Sequence, residues 1–148
     1  MTYRKTLTIW IPAYNEEDCL EKTVHEVLQV ARDKLEAFEI IIVNDGSTDG
    51  TGTVANRLAD EHPEVVVIQH QENKGLASSY RECLALARHE YIIVLPGDNA
   101  FEIGGVGRIF DALGSADMII SYRTNQSDRR PIRSVQSRLM SFCLNVVF

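Results

Sequence analysis

Acidic and amide side chains recur in short polar segments that each follow an apolar run of this 148-residue sequence. The first of these segments, residues 12–16, contains Pro12, Tyr14 and Glu16. Tyr14 could stack on a flat ring, and Glu16 could accept hydrogen bonds from a base or a ribose. The same residues would also suit a helix-capping turn with a surface tyrosine. The segment alone therefore leaves both interpretations open.

The second polar segment, residues 44–50, follows an apolar run that ends at Val43, and it places Asp45 before a glycine. An Asp-Gly pair is typical of a tight turn, and the hydroxyl and carboxylate groups around it can cap a helix. Asp45 could instead accept an N–H group of a base. Uracil and guanine both offer a ring N–H, so either base remains open.

Two further segments carry groups suited to phosphate and metal. Lys74 precedes a glycine and could meet a phosphate, although a solvated lysine is the simpler interpretation. Gly97 and Asp98 follow another apolar run. A lone aspartate there could cap a helix, or it could bind Mg²⁺ or Mn²⁺, which are hard ions that prefer oxygen ligands.

Apolar periodicity predicts the elements that position these segments. Strands are expected at residues 6–11, 38–43, 65–68, 91–95 and 118–120. Helices are expected around residues 20–35, 54–59, 76–87, 106–113 and 135–146. Strands that alternate with helices indicate βαβ units, right-handed crossovers and a mostly parallel sheet. Ligands of such sheets bind beyond the carboxyl ends of the strands, where the polar segments lie.

Composition and charge narrow the class of protein. Hydrophobic residues make up 45% and charged residues 24%, which is ordinary for a soluble globular domain. No apolar run approaches the ~20 residues of a membrane-spanning helix, and the N-terminus lacks the apolar stretch of a signal peptide. We therefore expect a cytoplasmic location. The three cysteines lack metal-ligand spacing.

The net charge of −6 is unevenly distributed. Residues 1–122 carry 10 basic and 20 acidic side chains, whereas residues 123–148 carry five arginines and one aspartate. The basic end indicates an anionic ligand or surface nearby, or a solvated loop. We expect an α/β domain over residues 1–122. Residues 123–148 are expected to form a basic loop and an amphipathic helix that begin an acceptor-facing or membrane-facing region.

In combination, these segments resemble the family 2 glycosyltransferases of the GT-A fold. Residues 73–81 and 119–123 are similar to the dolichyl-phosphate mannose synthase-like members, and the resemblance covers residues 6–148. It implies a Rossmann-like, nucleotide-sugar-binding α/β fold. The sheet would be open and mostly parallel, with helices on both faces.

The resemblance also implies roles for individual residues. Family members transfer a sugar from a nucleoside diphosphate, often to a polyprenyl phosphate, and the resemblance implies an inverting transferase. Asp98 and Arg123 would be the catalytic residues, Asp98 at the metal ion and the diphosphate, and Arg123 at the diphosphate or the acceptor phosphate. The implied nucleotide-binding residues are Pro12, Tyr14, Glu16, Val43, Asp45, Lys74 and Gly97.

Two departures from the family pattern affect these expectations. Pro96 replaces the first aspartate of the usual Asp-x-Asp, so binding of Mg²⁺ or Mn²⁺ would rest on Asp98. Asn44 also stands where an aspartate is usual. Relatives continue beyond the point that corresponds to Phe148. We therefore expect a C-terminally truncated chain that holds mainly the donor site.

The expected partners are a UDP- or GDP-sugar, a lipid-linked phosphate acceptor and, peripherally, the cytoplasmic face of a membrane; no nucleic acid is expected. Two alternatives stay open: a transferase that extends a glycan or polysaccharide, and a non-catalytic nucleotide-sugar-binding module. A phosphoacceptor receiver or a phosphatase would need acidic residues directly at the end of the first strand. A dehydrogenase would need a glycine fingerprint there, and neither pattern occurs.

Overall fold

The computed structural model describes residues 5–121, which form a four-stranded parallel sheet and four helices. The strands are β1 (Thr6–Ala13), β2 (Ala37–Asn44), β3 (Val65–Gln69) and β4 (Tyr91–Val94). The helices are α1 (Leu20–Lys34), α2 (Thr51–Glu61), α3 (Leu76–Leu86) and α4 (Ile103–Ala112). The strand order is β3-β2-β1-β4, with every pair parallel. The predicted α/β fold is therefore confirmed.

The larger core lies on the sheet face covered by α1, α2 and α4. Alternate residues of a strand point to the same face, so Ile9 and Ile11 of β1 pack there with Ile40 and Ile42 of β2. All four side chains are fully buried. Phe110 of α4 and Leu58 of α2 belong to the same cluster.

A smaller core lies on the opposite face, under α3. It joins Trp10 of β1 and Ile41 and Val43 of β2 to Cys83 of α3. Helices therefore cover both faces of the sheet, as predicted. The apolar run of β2 is buried on both faces, which explains why it does not alternate with polar residues.

The predicted strand at residues 118–120 is wrong. Met118 and Ile120 are 76% and 79% exposed, and no strand is assigned there. Ile119 packs against the larger core. Within residues 5–121, β4 pairs only with β1 and is the edge strand of the sheet, and the short apolar run does not pair with it. It contributes one side chain to the core without joining the sheet.

Parallel pairing brings the carboxyl ends of the strands to one edge. Ala13 is in register with Asn44, and Asn44 with Gln69. The backbone pairing continues past the strands, since the N–H of Asp45 donates to Ala13 O and the N–H of His70 donates to Asn44 O. The polar segments after β1, β2 and β3 therefore lie side by side.

The predicted region 123–148, its helix at 135–146 and Arg123 lie outside the described residues. Among residues 5–121, no helix combines the length and the apolar character that a membrane span requires.

Candidate functional site

The loops after β1 and β2 are joined by reciprocal hydrogen bonds. The N–H of Asn15 donates to Ser47 Oγ over 3.0 Å, and Asn15 Oδ1 accepts from the N–H of Thr48 over 2.9 Å. Asn15 adopts a φ of 58°, a left-handed conformation that asparagine tolerates better than most residues. This contact fixes the chain next to Tyr14.

The same β1 loop is tied to the start of α2. The N–H of Glu16 donates to Thr51 Oγ1 over 2.8 Å, and Glu17 Oε2 accepts from the N–H of Gly50 over 2.6 Å. Asp49 adds a cap, because its Oδ1 accepts from the N–H of Thr51. The capping function suggested by the sequence is therefore present, and it positions the backbone of Glu16.

Gly46 allows the loop after β2 to touch the loop after β3. Its φ is +72°, and a Cβ atom there would lie 2.3 Å from the carbonyl carbon of Glu72 and 2.4 Å from the nitrogen of Asn73. Such distances are far inside van der Waals contact. Only glycine fits here, and the close approach brings Lys74 and Gly75 to Asp45.

Asp45 is the centre of the site. Its Oδ1 accepts from the N–H of Lys74 and its Oδ2 from the N–H of Gly75, both over 2.9 Å. His70 Nδ1 lies 2.7 Å from Oδ1. Burial opposes ionisation of Asp45, but the hydrogen bonds from His70 and the two backbone groups lower its pKa below the ordinary value. Asp45 is therefore a preorganised, ionised acceptor.

His70 connects Asp45 to helix α3. Its Nε2 lies 2.8 Å from Oε2 of Glu82, and 2% of its side-chain surface is exposed. Ionised carboxylates only accept hydrogen bonds, so both ring nitrogens must donate and the ring is an imidazolium. Burial opposes this charge, but Asp45 and Glu82 overcome it and raise the pKa of His70. His70 and Glu82 were not predicted from the sequence, in which the one available signal was a histidine two residues after the predicted strand 65–68.

A cleft of about 290 Å³ opens at this edge of the sheet. Tyr14 is 47% exposed at its wall, so the residue is partly accessible to a ligand. Four of the predicted nucleotide-binding residues line the cleft: Pro12, Tyr14, Glu16 and Asp45. The remaining lining residues are Ala13, Asn73, Gly75, Leu76 and Ser79.

Negative charge gathers beside the cleft at Asp98. Asp98 is exposed, and its Oδ1 accepts from the N–H of Ala100 over 3.0 Å. Burial, followed by the charges of Asp98 and Asp49, raises the pKa of Glu16. Asn99 Oδ1 is buried without a hydrogen-bond partner among the described residues. Carboxylate and amide oxygens are ligands that divalent cations prefer, and Asp98 and Asn99 supply both types directly after β4.

The sequence of the chain matches a known family over nearly its whole length. The family model named "Glycosyl transferase family 2" matches residues 8–143. The chain belongs to this family. The cleft of this family 2 glycosyltransferase domain lies at the carboxyl ends of its parallel strands.

Individual relatives agree with this assignment. A dolichyl-phosphate beta-glucosyltransferase of Trichomonas vaginalis is 32% identical, over 82% of this chain and 38% of that protein. A poly-beta-1,6-N-acetyl-D-glucosamine synthase of Staphylococcus aureus is 34% identical, over 62% of this chain and 21% of that protein. The chain thus spans well under half the length of these curated relatives.

Solved structures confirm the GT-A fold of this family 2 domain. A mannosyltransferase from Pyrobaculum calidifontis, in complex with GDP-Man and Mn²⁺, superposes with a TM-score of 0.58 at 30% identity. The superposition covers 66% of this chain and 28% of the mannosyltransferase chain. TarS of S. aureus in complex with UDP-GlcNAc superposes with a TM-score of 0.54 at 21% identity, over 63% of this chain and 26% of the TarS chain. At this identity the match supports the fold alone.

Three other predicted nucleotide-binding residues of the glycosyltransferase domain, Val43, Lys74 and Gly97, are not among the residues that line the cleft. Val43 is fully buried in the smaller core, so its side chain does not face the cleft. Lys74 reaches Asp45 through its backbone, while its Nζ lies 3.4 Å from Glu82 Oε1. Its contact with a phosphate stays a prediction. Gly97 is buried and hydrogen-bonds Pro12 O; an added Cβ would lie 3.1 Å from that oxygen.

Proposed function

We propose that this chain binds the donor in an enzyme that transfers a sugar, with inversion, from a nucleoside-diphosphate sugar to a polyprenyl phosphate. The observation that carries the proposal is the cleft, in which the Tyr14 ring and the ionised Asp45 face one space. A nucleoside offers a flat base and N–H and O–H donors. These match an aromatic face and carboxylate acceptors.

The donor's leaving group determines what else the site must supply. A nucleoside diphosphate gains negative charge as the bond to the sugar breaks. Asp98, with the unpaired amide oxygen of Asn99 nearby, would hold Mg²⁺ or Mn²⁺, which supplies a counter-charge for the departing diphosphate when bound. The Mn²⁺ in the mannosyltransferase complex from P. calidifontis supports a divalent ion for this chain as well.

A phosphate acceptor changes the demand on the protein. Its oxygen is already anionic at neutral pH, so the transfer needs positioning more than a general base. In this proposal Tyr14 and Asp45 orient the nucleoside, and Arg123 holds the diphosphate or the acceptor phosphate. No side chain in the described part of the chain then needs to remove a proton from the acceptor.

The relatives support two acceptor classes. The dolichyl-phosphate beta-glucosyltransferase is matched over 82% of this chain, and the polysaccharide synthase over 62%. The longer match favours a lipid-linked phosphate. That choice implies work at the cytoplasmic face of a membrane, where the arginines of residues 123–148 would meet anionic head groups. Extension of a polysaccharide is the second candidate.

A binding assay followed by a transfer assay tests the proposal. We expect UDP or GDP with Mn²⁺ to raise the melting temperature of the chain, because a ligand that binds only the folded state stabilises it. Transfer of labelled sugar is then measured to a short polyprenyl phosphate and, in parallel, to an N-acetylglucosamine oligosaccharide. The variant Tyr14→Ala tests the role of the Tyr14 ring in nucleotide binding. Tyr80→Ala is its control, because both tyrosines are partly exposed but Tyr80 packs on Trp10 and does not line the cleft.

Each outcome points to one function. Transfer to the polyprenyl phosphate supports the proposal, and transfer to the oligosaccharide alone selects the polysaccharide candidate. Nucleotide binding without any transfer identifies a non-catalytic binding module. If the chain sediments with anionic liposomes only at low salt, the membrane location is supported; absence of sedimentation at any salt counts against it.

A further inference from the structure

We infer that His70 restricts Asp45 to a single acceptor position for the ligand, so that the cleft selects a base with one N–H on its pairing edge, uracil, over guanine. The inference rests on the proposed function, because it names the base of the donor. It makes His70 a specificity-determining residue that acts through Asp45.

The hydrogen bonds already made by Asp45 carry the argument. An ionised carboxylate offers about four acceptor positions, two on each oxygen. Oδ1 accepts from His70 Nδ1 and from the N–H of Lys74, and Oδ2 accepts from the N–H of Gly75. One position therefore remains, on Oδ2, and Asp45 lines the cleft into which a ligand would enter.

The two bases differ in what they present to such an acceptor. Uracil has one ring N–H, flanked by carbonyl oxygens, whereas guanine has a ring N–H beside an exocyclic amino group. A carboxylate with both oxygens free can accept the two guanine donors side by side. With Oδ1 filled, the guanine amino group would lose its partner on Asp45. An unsatisfied donor of this kind typically costs about tenfold or more in affinity.

His70 is held firmly enough to act as this permanent donor. Its side chain is 2% exposed, and Glu82 of α3 accepts from its second ring nitrogen over 2.8 Å. Lys74 Nζ lies 3.4 Å from the other oxygen of Glu82, which keeps that carboxylate in place. Turning the ring away from Asp45 would break both bonds of a buried cation. The other two donors to Asp45 are backbone groups, so His70 is the side chain whose replacement tests the idea.

Two isosteric substitutions test the two ring nitrogens of His70 one at a time. The amide nitrogen of His70→Asn can take the place of Nδ1 and keep a donor on Asp45. That of His70→Gln can take the place of Nε2, which leaves Oδ1 with a free position. We expect the unaltered chain to bind UDP about tenfold more tightly than GDP. We expect His70→Asn to keep this ratio and His70→Gln to bring it toward one.

The ratio is measured by titration calorimetry with UDP and GDP in Mn²⁺, with His89→Gln as the control and melting curves to confirm folding. A ratio that stays the same in His70→Gln overturns the inference, as does equal weakening of both nucleotides, which a merely structural role would give. Tighter binding of GDP by the unaltered chain overturns it too. Those results would leave nucleotide-sugar binding intact, whereas binding of neither nucleotide overturns the proposed function and the inference together.

Discussion

Nδ1 of His70 lies 2.7 Å from Oδ1 of Asp45, and the two side chains are only 2% and 9% exposed. Asp45 lines the cleft and His70 does not, and the hydrogen bond from His70 is one of three that lower the pKa of Asp45. The arrangement joins the end of β2 to the end of β3 and, through Glu82, to α3. The geometry of the site and its protonation are therefore coupled.

The first prediction concerns pH. The pKa of His70 is raised, so its stabilising contribution is complete below the ordinary histidine value of about 6.5 and is lost as pH rises through the folded-state pKa. The pKa of Asp45 is lowered, so its contribution is complete above about 3.8 and is lost on acidification. We expect the free energy of unfolding of the unaltered chain to exceed that of His70→Gln most between these values.

Urea unfolding of both proteins from pH 4 to 9 measures the effect. The difference between the two proteins is expected to shrink as the pH rises through the raised folded-state pKa of His70. A difference that does not change with pH would contradict a charged His70. His89→Gln is the matched control for a histidine-to-glutamine substitution outside the cleft.

The second prediction compares two glycines with left-handed backbone. Gly46 and Gly75 have φ values of +72° and +82°, but an added Cβ would strike the backbone of residues 72–73 at Gly46 and would meet nothing within 4 Å at Gly75. Gly75→Ala should cost about 1–3 kcal/mol from backbone strain alone, because its φ of 82° and ψ of 159° lie in a region almost restricted to glycine. Gly46→Ala should cost several times more and should abolish nucleotide binding, because the loop that carries Lys74 must move.

Chemical denaturation of the two alanine variants measures these costs. The shared sign of φ makes Gly75→Ala an internal control for strain. Equal losses of stability in the two variants would show that the contact between Gly46 and residues 72–73 contributes little.

The third prediction tests the metal site. Asp98→Ala should remove most of the additional rise in melting temperature that Mn²⁺ gives in the presence of a nucleoside diphosphate. Removal of the Asp98 carboxylate should also lower the raised pKa of Glu16, because the charge of Asp98 is one of those that raise it. Asp60→Ala, an exposed aspartate of α2, is the control and should keep the full metal-dependent rise. If Asp98→Ala keeps it as well, the metal ion is bound elsewhere.

Much of the fold could be predicted because it is encoded locally. The apolar run before Asn44 and the helical spacing of Leu20, Val24 and Val27 each reflect one periodicity within one element. The prediction of a strand at residues 118–120 was wrong for the same reason. Three apolar residues suit a strand, but the apolar pattern does not say whether they pair with the edge strand β4.

The sequence by itself determined the family, the alternation of strands and helices, and the polar segments at the strand ends from which Tyr14, Glu16 and Asp45 reach the cleft. Only the tertiary structure decided that His70 and Glu82 complete the surroundings of Asp45, and that Gly46 must meet the chain at Glu72. His70 is 12 residues from Glu82 and 25 from Asp45, and no periodicity connects them. They meet because parallel pairing places β1, β2 and β3 side by side in one register. Contacts of this kind follow from the order of the strands, which local patterns of apolar residues do not specify.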